Sequence, residues 1–176
     1  MSNLPSNLQL RPLTADDAEA FSALRRLVTA DNPVPMGLTL EEELTRPIQG
    51  FRDQLSYPAP NAAFGAFADD KLVGTAAVAW PSKLASSRHK TTLWGTFVAP
   101  SYRQKGIGRA LVQKAIAHAQ DNGVRRVNLL VYLPNEPAVG LYQSLGFVAC
   151  GTEPEAICIA GTFHDGQSMS LLLSAT

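Results

Sequence analysis

"FVAPSYRQKGIGRALVQKAIAHAQDNG", residues 97–123, passes from an apolar run through a basic, glycine-containing turn into an amphipathic segment. The amphipathic part predicts a helix, because its apolar residues recur at the three- and four-residue spacing that places them on one helical face. These apolar residues are Leu111, Val112, Ala115, Ile116 and Ala119. The helix is expected to end at Asn122-Gly123, a pair typical of helix C-caps. The stretch therefore predicts a strand, a turn and a helix in direct succession.

The turn ahead of this helix has the features of an anion site. Gly106 and Gly108 lie where the first helical amides have no acceptor within the helix and the helix dipole presents positive potential. Glycine there lets the backbone approach a ligand closely, while Arg103, Lys105 and Arg109 add positive charge. The alternative is a tight turn whose glycines only permit the chain reversal and whose basic residues are solvated.

Two familiar phosphate motifs do not fit this turn. A Walker A loop requires Gly-x-x-x-x-Gly-Lys-Ser/Thr, and a dinucleotide-binding fingerprint requires a third glycine where this chain has Leu111. Any phosphate bound here would therefore be held by a different glycine turn.

The remaining patterns predict a mixed α/β layer, with antiparallel strands first and a strand–helix–strand crossover in the middle. A strand at "LQLRPL" precedes a helix with an apolar stripe, and residues 29–58 form a proline-interrupted helical arm that splits near Pro47. Two apolar runs around Ala68-Asp69-Asp70-Lys71 predict a hairpin, and "FVACG" and "QSMSLLL" predict the last two strands.

Length and composition favour one domain, residues 8–176, after a disordered N-terminus over residues 1–7. The 176 residues are 45% hydrophobic, and 15 basic residues balance 15 acidic ones, which argues against a nucleic-acid or membrane-surface partner. The sequence has no signal-peptide pattern and no membrane-spanning run, so a cytoplasmic protein is expected. Cys150 and Cys158 match no metal-ligand spacing and are interpreted as reduced core residues, with no metal site.

Two motifs resemble the GNAT superfamily of acyl-CoA-dependent N-acetyltransferases. The run from Arg103 to Gly108 resembles the family's pyrophosphate loop, Arg/Gln-x-x-Gly-x-Gly/Ala. Farther on, "NEPAVGLYQSLGF", residues 135–147, resembles the family's Asn-x-x-Ala-x-x-Leu-Tyr-x-x-x-Gly-Phe segment at its usual distance. The resemblance is sharp over residues 93–147. It implies an α/β (α+β) fold with a mostly antiparallel sheet of six to seven strands, helices on both faces and two splayed central strands.

The resemblance also implies a cofactor site for acetyl-CoA. The backbone of the strand ending at Val98 would meet the pantetheine arm, the amides of residues 104–109 would hold the pyrophosphate, and Tyr142 would act as general acid toward the departing thiolate. The cofactor contacts implied in this way are Phe97, Val98, Arg103, Gln104, Lys105, Gly106, Ile107, Gly108, Arg109, Asn135 and Tyr142.

The general base is less evident, because the strand "KTTLWGTFV" has no acidic residue where relatives often carry one. His89, at the mouth of that strand, is a candidate base, although a lone histidine is more often a surface or packed residue. Glu41, Glu42 and Glu43 are interpreted as a solvated helix start. No metal is expected to take part.

The acceptor pocket is expected between the 29–58 arm and the two central strands. Its candidate lining residues are Met36, Phe51, Trp80 and Trp94. The sequence names no amine, and a polyamine, an amino acid, an aminoglycoside or a peptide N-terminus all fit.

The expected activity is transfer of an acetyl group from acetyl-CoA to a primary amine of a small molecule or peptide N-terminus. A non-catalytic acyl-CoA sensor or interaction module is the alternative, supported by the missing strand carboxylate, and transfer of a longer acyl chain is another. Family members are often dimers, so a homodimer is one expectation for the oligomeric state.

Overall fold

The computed structural model describes residues 4, 5 and 7–173, so most of the N-terminal segment expected to be disordered lies outside the described residues. Within these residues, seven strands form one sheet. The strands are β1 (Leu8–Pro12), β2 (Ala62–Ala68), β3 (Lys71–Ala79), β4 (Lys90–Val98), β5 (Arg126–Tyr132), β6 (Val148–Ile159) and β7 (Thr162–Leu172). The α-helices are α1 (Ala18–Asp31), α2 (Leu40–Thr45), α3 (Ile48–Leu55), α4 (Ile107–Asp121) and α5 (Glu136–Ser144).

The sheet has the order β1-β2-β3-β4-β5-β7-β6, and every neighbouring pair is antiparallel except β4 and β5. The parallel pair is joined by α4, as expected for a crossover that must return the chain to the same end of the sheet. This architecture confirms the predicted mixed, mostly antiparallel sheet.

Helices cover both faces of the sheet. On one face, α4 buries Ile107, Leu111 and Val112 in a cluster that also contains Tyr142 of α5. On the other face, α1 and α3 pack through Phe21 and Phe51 against the strands. The three- and four-residue spacing read from the sequence accounts for both buried helix faces, because it aligns apolar side chains along one side of each helix.

The helical arm follows the prediction closely. The chain turns at Pro47, which separates α2 from α3, since proline has no amide to continue the first helix. The hairpin between β2 and β3 turns at Asp69 and Asp70, whose φ values of 48° and 61° are left-handed conformations that short acidic residues tolerate.

The C-terminal hairpin differs from the prediction. Both β6 and β7 are longer than the apolar runs that predicted them. Much of β6 is exposed and carries polar residues, so the apolar pattern did not indicate its full length. Cys150 and Cys158 lie on β6 as free, exposed thiols, so the expectation that they belong to the core is wrong. Within the described residues, no helix combines the length and apolarity needed to cross a membrane.

Candidate functional site

The glycine turn forms the N-terminus of α4. The chain leaves β4, makes a short helical turn over Pro100–Tyr102 and reaches Gly106, whose φ of 79° is left-handed and therefore favours glycine. The Ala110 amide donates to the Gly106 carbonyl at 3.0 Å. Among the loop hydrogen bonds of the described residues, none is donated by an amide between 104 and 109. These amides are the donors that an anion at a helix N-terminus would use.

The basic residues around the turn do different things. Arg103 donates to Asp31 at the end of α1 at 2.7 Å and to the Val98 carbonyl at 3.1 Å, so it braces the loop against two neighbouring elements. Arg109 donates to the Ser144 hydroxyl at 2.8 Å and thereby links α4 to α5.

Both arginines line the cavity beside the turn. Lys105 is not among the residues that line it, and its ammonium lies 5.0 Å from the centre of the Tyr102 ring.

A cavity of about 710 Å³ runs from this turn along the end of β4 to α5. It is lined by the predicted contacts other than Lys105: Phe97, Val98, Arg103, Gln104, Gly106, Ile107, Gly108, Arg109, Asn135 and Tyr142. A Cβ atom on Gly108 would meet its two nearest neighbours, Leu141 and Val98, at 3.6 and 3.7 Å, which is ordinary contact. The chain's own side chains therefore leave the turn accessible, and the residues present fit a bound diphosphate.

The cavity extends into a gap in the sheet. β4 pairs with β5 only through Lys90–Thr92, against residues 126–128, and the strands separate beyond that point. A bulge at Gly95, with φ of 60°, changes the register of β4 against β3. Thr75 donates to the Gly95 carbonyl at 2.7 Å and holds the bulge in place. The splayed central strands implied by the resemblance are thus present.

Tyr142 lies where this cavity meets a second one of about 300 Å³. α5 buries the Tyr142 side chain in the core cluster on the α4 side of the sheet, with the ring packed edge-to-face on Phe147 at 5.6 Å between centroids. Burial raises the pKa of the Tyr142 phenol above its usual value, and the nearby Thr96 hydroxyl offsets only part of this rise. The two hydroxyls do not meet hydrogen-bond geometry, and in the described part of the chain Thr96 Oγ1 has no partner. The phenol therefore stays protonated at neutral pH.

Asn135, the N-cap residue of α5, also borders both cavities. Its side-chain oxygen accepts from the Ala138 amide at 3.3 Å, which caps the helix. The side-chain amide nitrogen is the group left to face a ligand.

The second cavity lies between the strands and the arm, where the sequence predicted the acceptor pocket, and is called the acceptor-side cavity below. Its walls come from β4, β5, α5, Arg25 of α1 and the segment that contains Met36. Of the residues predicted for the acceptor pocket, Met36 and Trp94 line this cavity, whereas Phe51 is fully buried in the core. No aspartate, glutamate or histidine is among the described residues that line this cavity.

Two predicted residues lie elsewhere. His89 precedes β4, seven residues before Thr96, which is about 23 Å at the rise of an extended strand. It lines a separate cavity with Lys90, Arg125 and Arg126, so its assignment as the base fails on distance. Trp80 packs against the ring of His118 of α4, on the sheet face opposite α1, and does not line the acceptor-side cavity.

A buried ion pair was missed by the sequence analysis. Arg25 donates from Nε and Nη2 to the two carboxylate oxygens of Glu43, at 2.7 and 2.8 Å, and Arg46 contacts the same carboxylate at 3.5 Å. Glu43 is fully buried, so the expectation that it is solvated is wrong. Burial by itself raises its pKa, but the hydrogen bonds and charges of the two arginines outweigh burial and lower it. Glu43 is therefore an anion at neutral pH.

A sequence signal for this pair exists. Arg25 follows Phe21 by four residues and precedes Val28 by three, which places it on the buried stripe of α1. A charge at a core-facing position requires a partner of opposite sign.

The chain is similar to known acetyltransferases in sequence and structure. It is 33% identical over 153 residues to a mycothiol acetyltransferase of Nocardiopsis dassonvillei, covering 83% of this chain and 44% of the relative. It is 34% identical over 100 residues to a streptothricin acetyltransferase of Streptomyces lavendulae, covering 57% of this chain and 50% of the relative. The chain thus spans about half the length of these curated relatives.

A solved structure and a family profile agree with these relatives. The crystal structure of a GNAT-family acetyltransferase from Streptococcus pneumoniae superposes with a TM-score of 0.78 at 28% identity, covering 94% of this chain and 99% of that one. The profile of the Acetyltransferase (GNAT) family matches residues 21–147, from α1 through the glycine turn to the end of the α5 motif. On this match, over well more than half of its length, the chain belongs to the GNAT family of acetyltransferases.

Proposed function

We propose that the protein transfers an acetyl group from acetyl-CoA to the primary amine of a small molecule or a peptide N-terminus. The observation that carries this proposal is the continuous cavity from the glycine turn to Tyr142, where a second cavity opens from the other side of the gap. A thioester held in the first cavity would meet an amine held in the second beside a phenol that is protonated at neutral pH.

The chain's residues would bind the co-substrate along its length. Backbone amides between 104 and 109 would hold the diphosphate, with the dipole of α4 adding positive potential. The unpaired edge of β4 beyond Thr92 would hydrogen-bond the pantetheine arm, because the splay leaves β4 without β5 as a partner there. Acetyl-CoA supplies the activated acyl group.

In the reaction, the amine nitrogen attacks the thioester carbonyl, a C–N bond forms, the C–S bond breaks and the electron pair leaves on sulfur. The Tyr142 phenol donates a hydrogen bond to that sulfur and passes its proton late in the step, after which the phenolate takes a proton back from water. A phenol with a pKa near 10 is a weaker acid than a thiol with a pKa near 8.5, so early proton transfer would be uphill by about 2 kcal/mol. Burial raises the pKa of Tyr142 further, which makes early proton transfer still less favourable.

The attacking amine must lose a proton, and the acceptor-side lining described above offers no carboxylate or imidazole to take it. We infer that water accepts the proton, so the reactive species is the neutral amine present in solution at the working pH. The names of the two curated relatives, for mycothiol and streptothricin, support a small-molecule acceptor.

The test measures thiol release when the protein is mixed with acetyl-CoA and a panel of amines, together with calorimetric binding of CoA. Amine-dependent thiol release supports the proposal. CoA binding without release with any amine would instead support the acyl-CoA sensor, and a panel of longer thioesters tests the acyl chain length. Failure of CoA to bind at millimolar concentration would remove both functions.

A further inference from the structure

The acceptor-side cavity has a fixed guanidinium in its wall. Arg25 lines this cavity although only 6% of the residue is exposed. Its guanidinium carbon lies 5.7 to 5.9 Å from the ring centres of Phe21, Phe51 and Phe97, so aromatic rings enclose it. A side chain held in this way presents the same donors to every ligand that enters.

Arg25 uses only part of its hydrogen-bonding capacity. Glu43 accepts from Nε and Nη2, while Nη1 donates to no group among the described residues. Arginine carries five N–H donors in a planar fork whose geometry matches that of a carboxylate. Its second edge is therefore available to an oxyanion in the cavity.

The ion-pair cluster behind this wall, formed by Arg25, Glu43 and Arg46, has a net positive charge. Arg25 and Arg46 share the single carboxylate of Glu43, which leaves one uncompensated positive charge in the cluster. Among the residues that the structure describes, the acceptor-side lining adds no aspartate or glutamate to offset it. A polycationic acceptor would lack a partner for its extra charges here and would be repelled by Arg25.

Two further polar groups of the same lining residues have no partner. In the described part of the chain, the Trp94 indole N–H and the Thr96 hydroxyl are buried without a hydrogen bond. Arg25 and Trp94 can only donate, and Thr96 can donate or accept. The Trp94 and Thr96 groups are buried rather than exposed to the cavity, so Arg25 is the residue whose charge would select the ligand.

We propose that the acceptor is a small amino acid-like molecule, in which the reacting amine accompanies a carboxylate that binds Arg25. The cavity volume of about 300 Å³ suits a compact molecule, because ligand pockets range from about 300 to 1,000 Å³. This inference rests on the proposed function, since it assigns the acceptor of that same site.

The test compares matched ligands on CoA-loaded protein. Each amino acid is paired with its carboxamide and with the amine that lacks the carboxylate, and calorimetry gives the dissociation constant of each. The amino acid is expected to bind about 10- to 100-fold more tightly than its partners, the usual effect of a hydrogen bond to a charged group. Equal binding within each set, tighter binding of the uncharged forms, or no binding of any amino acid would overturn the proposal.

Variants of the ion pair link the preference to Arg25. Removing Arg25 alone would leave Glu43 with Arg46 as its only partner, so the informative protein is the double variant Arg25→Gln/Glu43→Gln, which removes both buried charges. It is expected to lose most of the preference for the amino acid, with CoA affinity unchanged, while Arg25→Lys keeps the charge and part of the preference. A folded double variant that retains the full preference would refute the role of Arg25.

The same measurements separate this inference from the proposed function. An amino acid that binds with the expected preference, but releases no thiol from acetyl-CoA, would refute catalysis and leave the acceptor class standing. Thiol release that is as fast with the carboxamide and the simple amine would support catalysis and refute the acceptor class.

Discussion

Substitution of Gly108 tests whether the N-terminus of α4 holds a diphosphate. Gly108 is the second residue of α4 and lines the larger cavity, and a Cβ atom there makes only ordinary contacts, 3.6 Å or longer. Gly108→Ala adds that atom alone, and Gly108→Glu also adds a carboxylate at the point where the diphosphate is expected. The two variants therefore separate the effect of volume from the effect of charge.

Neither variant should destabilise the fold. Alanine is favoured over glycine within a helix by up to about 1 kcal/mol. A glutamate in the first turn gains about 0.3–1 kcal/mol more from the helix dipole. The melting temperature of both variants should equal or exceed that of the wild type, so a loss of binding could not be attributed to unfolding.

Of the two variants, only Gly108→Glu should weaken CoA binding strongly. Two like charges 4 Å apart repel by about 4 kcal/mol at the effective dielectric of a protein surface. Because the glutamate side chain can rotate toward solvent, the expected loss of CoA binding free energy is about 3 kcal/mol, which corresponds to a roughly hundredfold larger dissociation constant. Gly108→Ala should stay within about threefold of the wild type, since an added methyl group at ordinary contact distance changes little.

Calorimetry with CoA measures both constants, and acetyl-pantetheine, which lacks the diphosphate, is the matched ligand control. Gly108→Glu should weaken acetyl-pantetheine binding far less than it weakens CoA binding. If the glutamate variant binds CoA as tightly as the wild type, or if it weakens the two ligands equally, the diphosphate does not lie at the start of α4.

Four further outcomes are expected. Tyr142→Phe should lower kcat by about 100-fold, the scale of general acid catalysis, with the dissociation constant of CoA within twofold; full activity across pH would remove Tyr142 from the mechanism. His89→Ala should keep kcat/KM within twofold, because His89 lies far along β4 from Tyr142, and a large loss would restore it as a candidate base. The rate should rise with pH as the acceptor amine loses its proton. Burial raises the pKa of Tyr142, so any decline in rate caused by ionisation of the phenol should fall above the ordinary phenol value near 10; a rise in rate that does not follow the pKa of the amine would reveal an internal base. Glu43→Gln should cost about 3–5 kcal/mol at pH 7 in urea unfolding, since it leaves Arg25 buried without its partner. Because the folded-state pKa of Glu43 is lowered, that cost should be fully present above the unfolded-state pKa near 4.5 and shrink as pH falls through the lower folded-state pKa; an equal cost at pH 7 and at acid pH would contradict the ion-pair account.

Local chemistry explains why much of the fold was readable from the sequence. The apolar spacing of α4, the split at Pro47 and the left-handed turn at Asp69 and Asp70 depend on neighbouring residues, which the sequence states directly. The glycine turn belongs to the same class, because the left-handed φ at Gly106 is a property of one residue in one short loop.

The walls of the candidate site were decided by tertiary structure. The sequence placed His89 near the cleft because it immediately precedes β4, but the cleft lies at the other end of that strand. Trp80 and Trp94 look equivalent in sequence, and only packing places Trp94 in the acceptor-side cavity and Trp80 against His118. Which face a side chain occupies at the end of a strand depends on register and bulges, which require knowledge of the paired strand.

The sequence by itself determined the order of elements, the glycine turn at the start of α4 and the family to which these motifs point. Tertiary structure alone decided that Arg25 and Glu43, 18 residues apart on two helices, meet in a buried pair beside the acceptor-side cavity. The physical reason is range: helix spacing, turn conformation and capping are set by neighbours along the chain, whereas burial of a charge depends on which distant side chain the packing brings within hydrogen-bond distance.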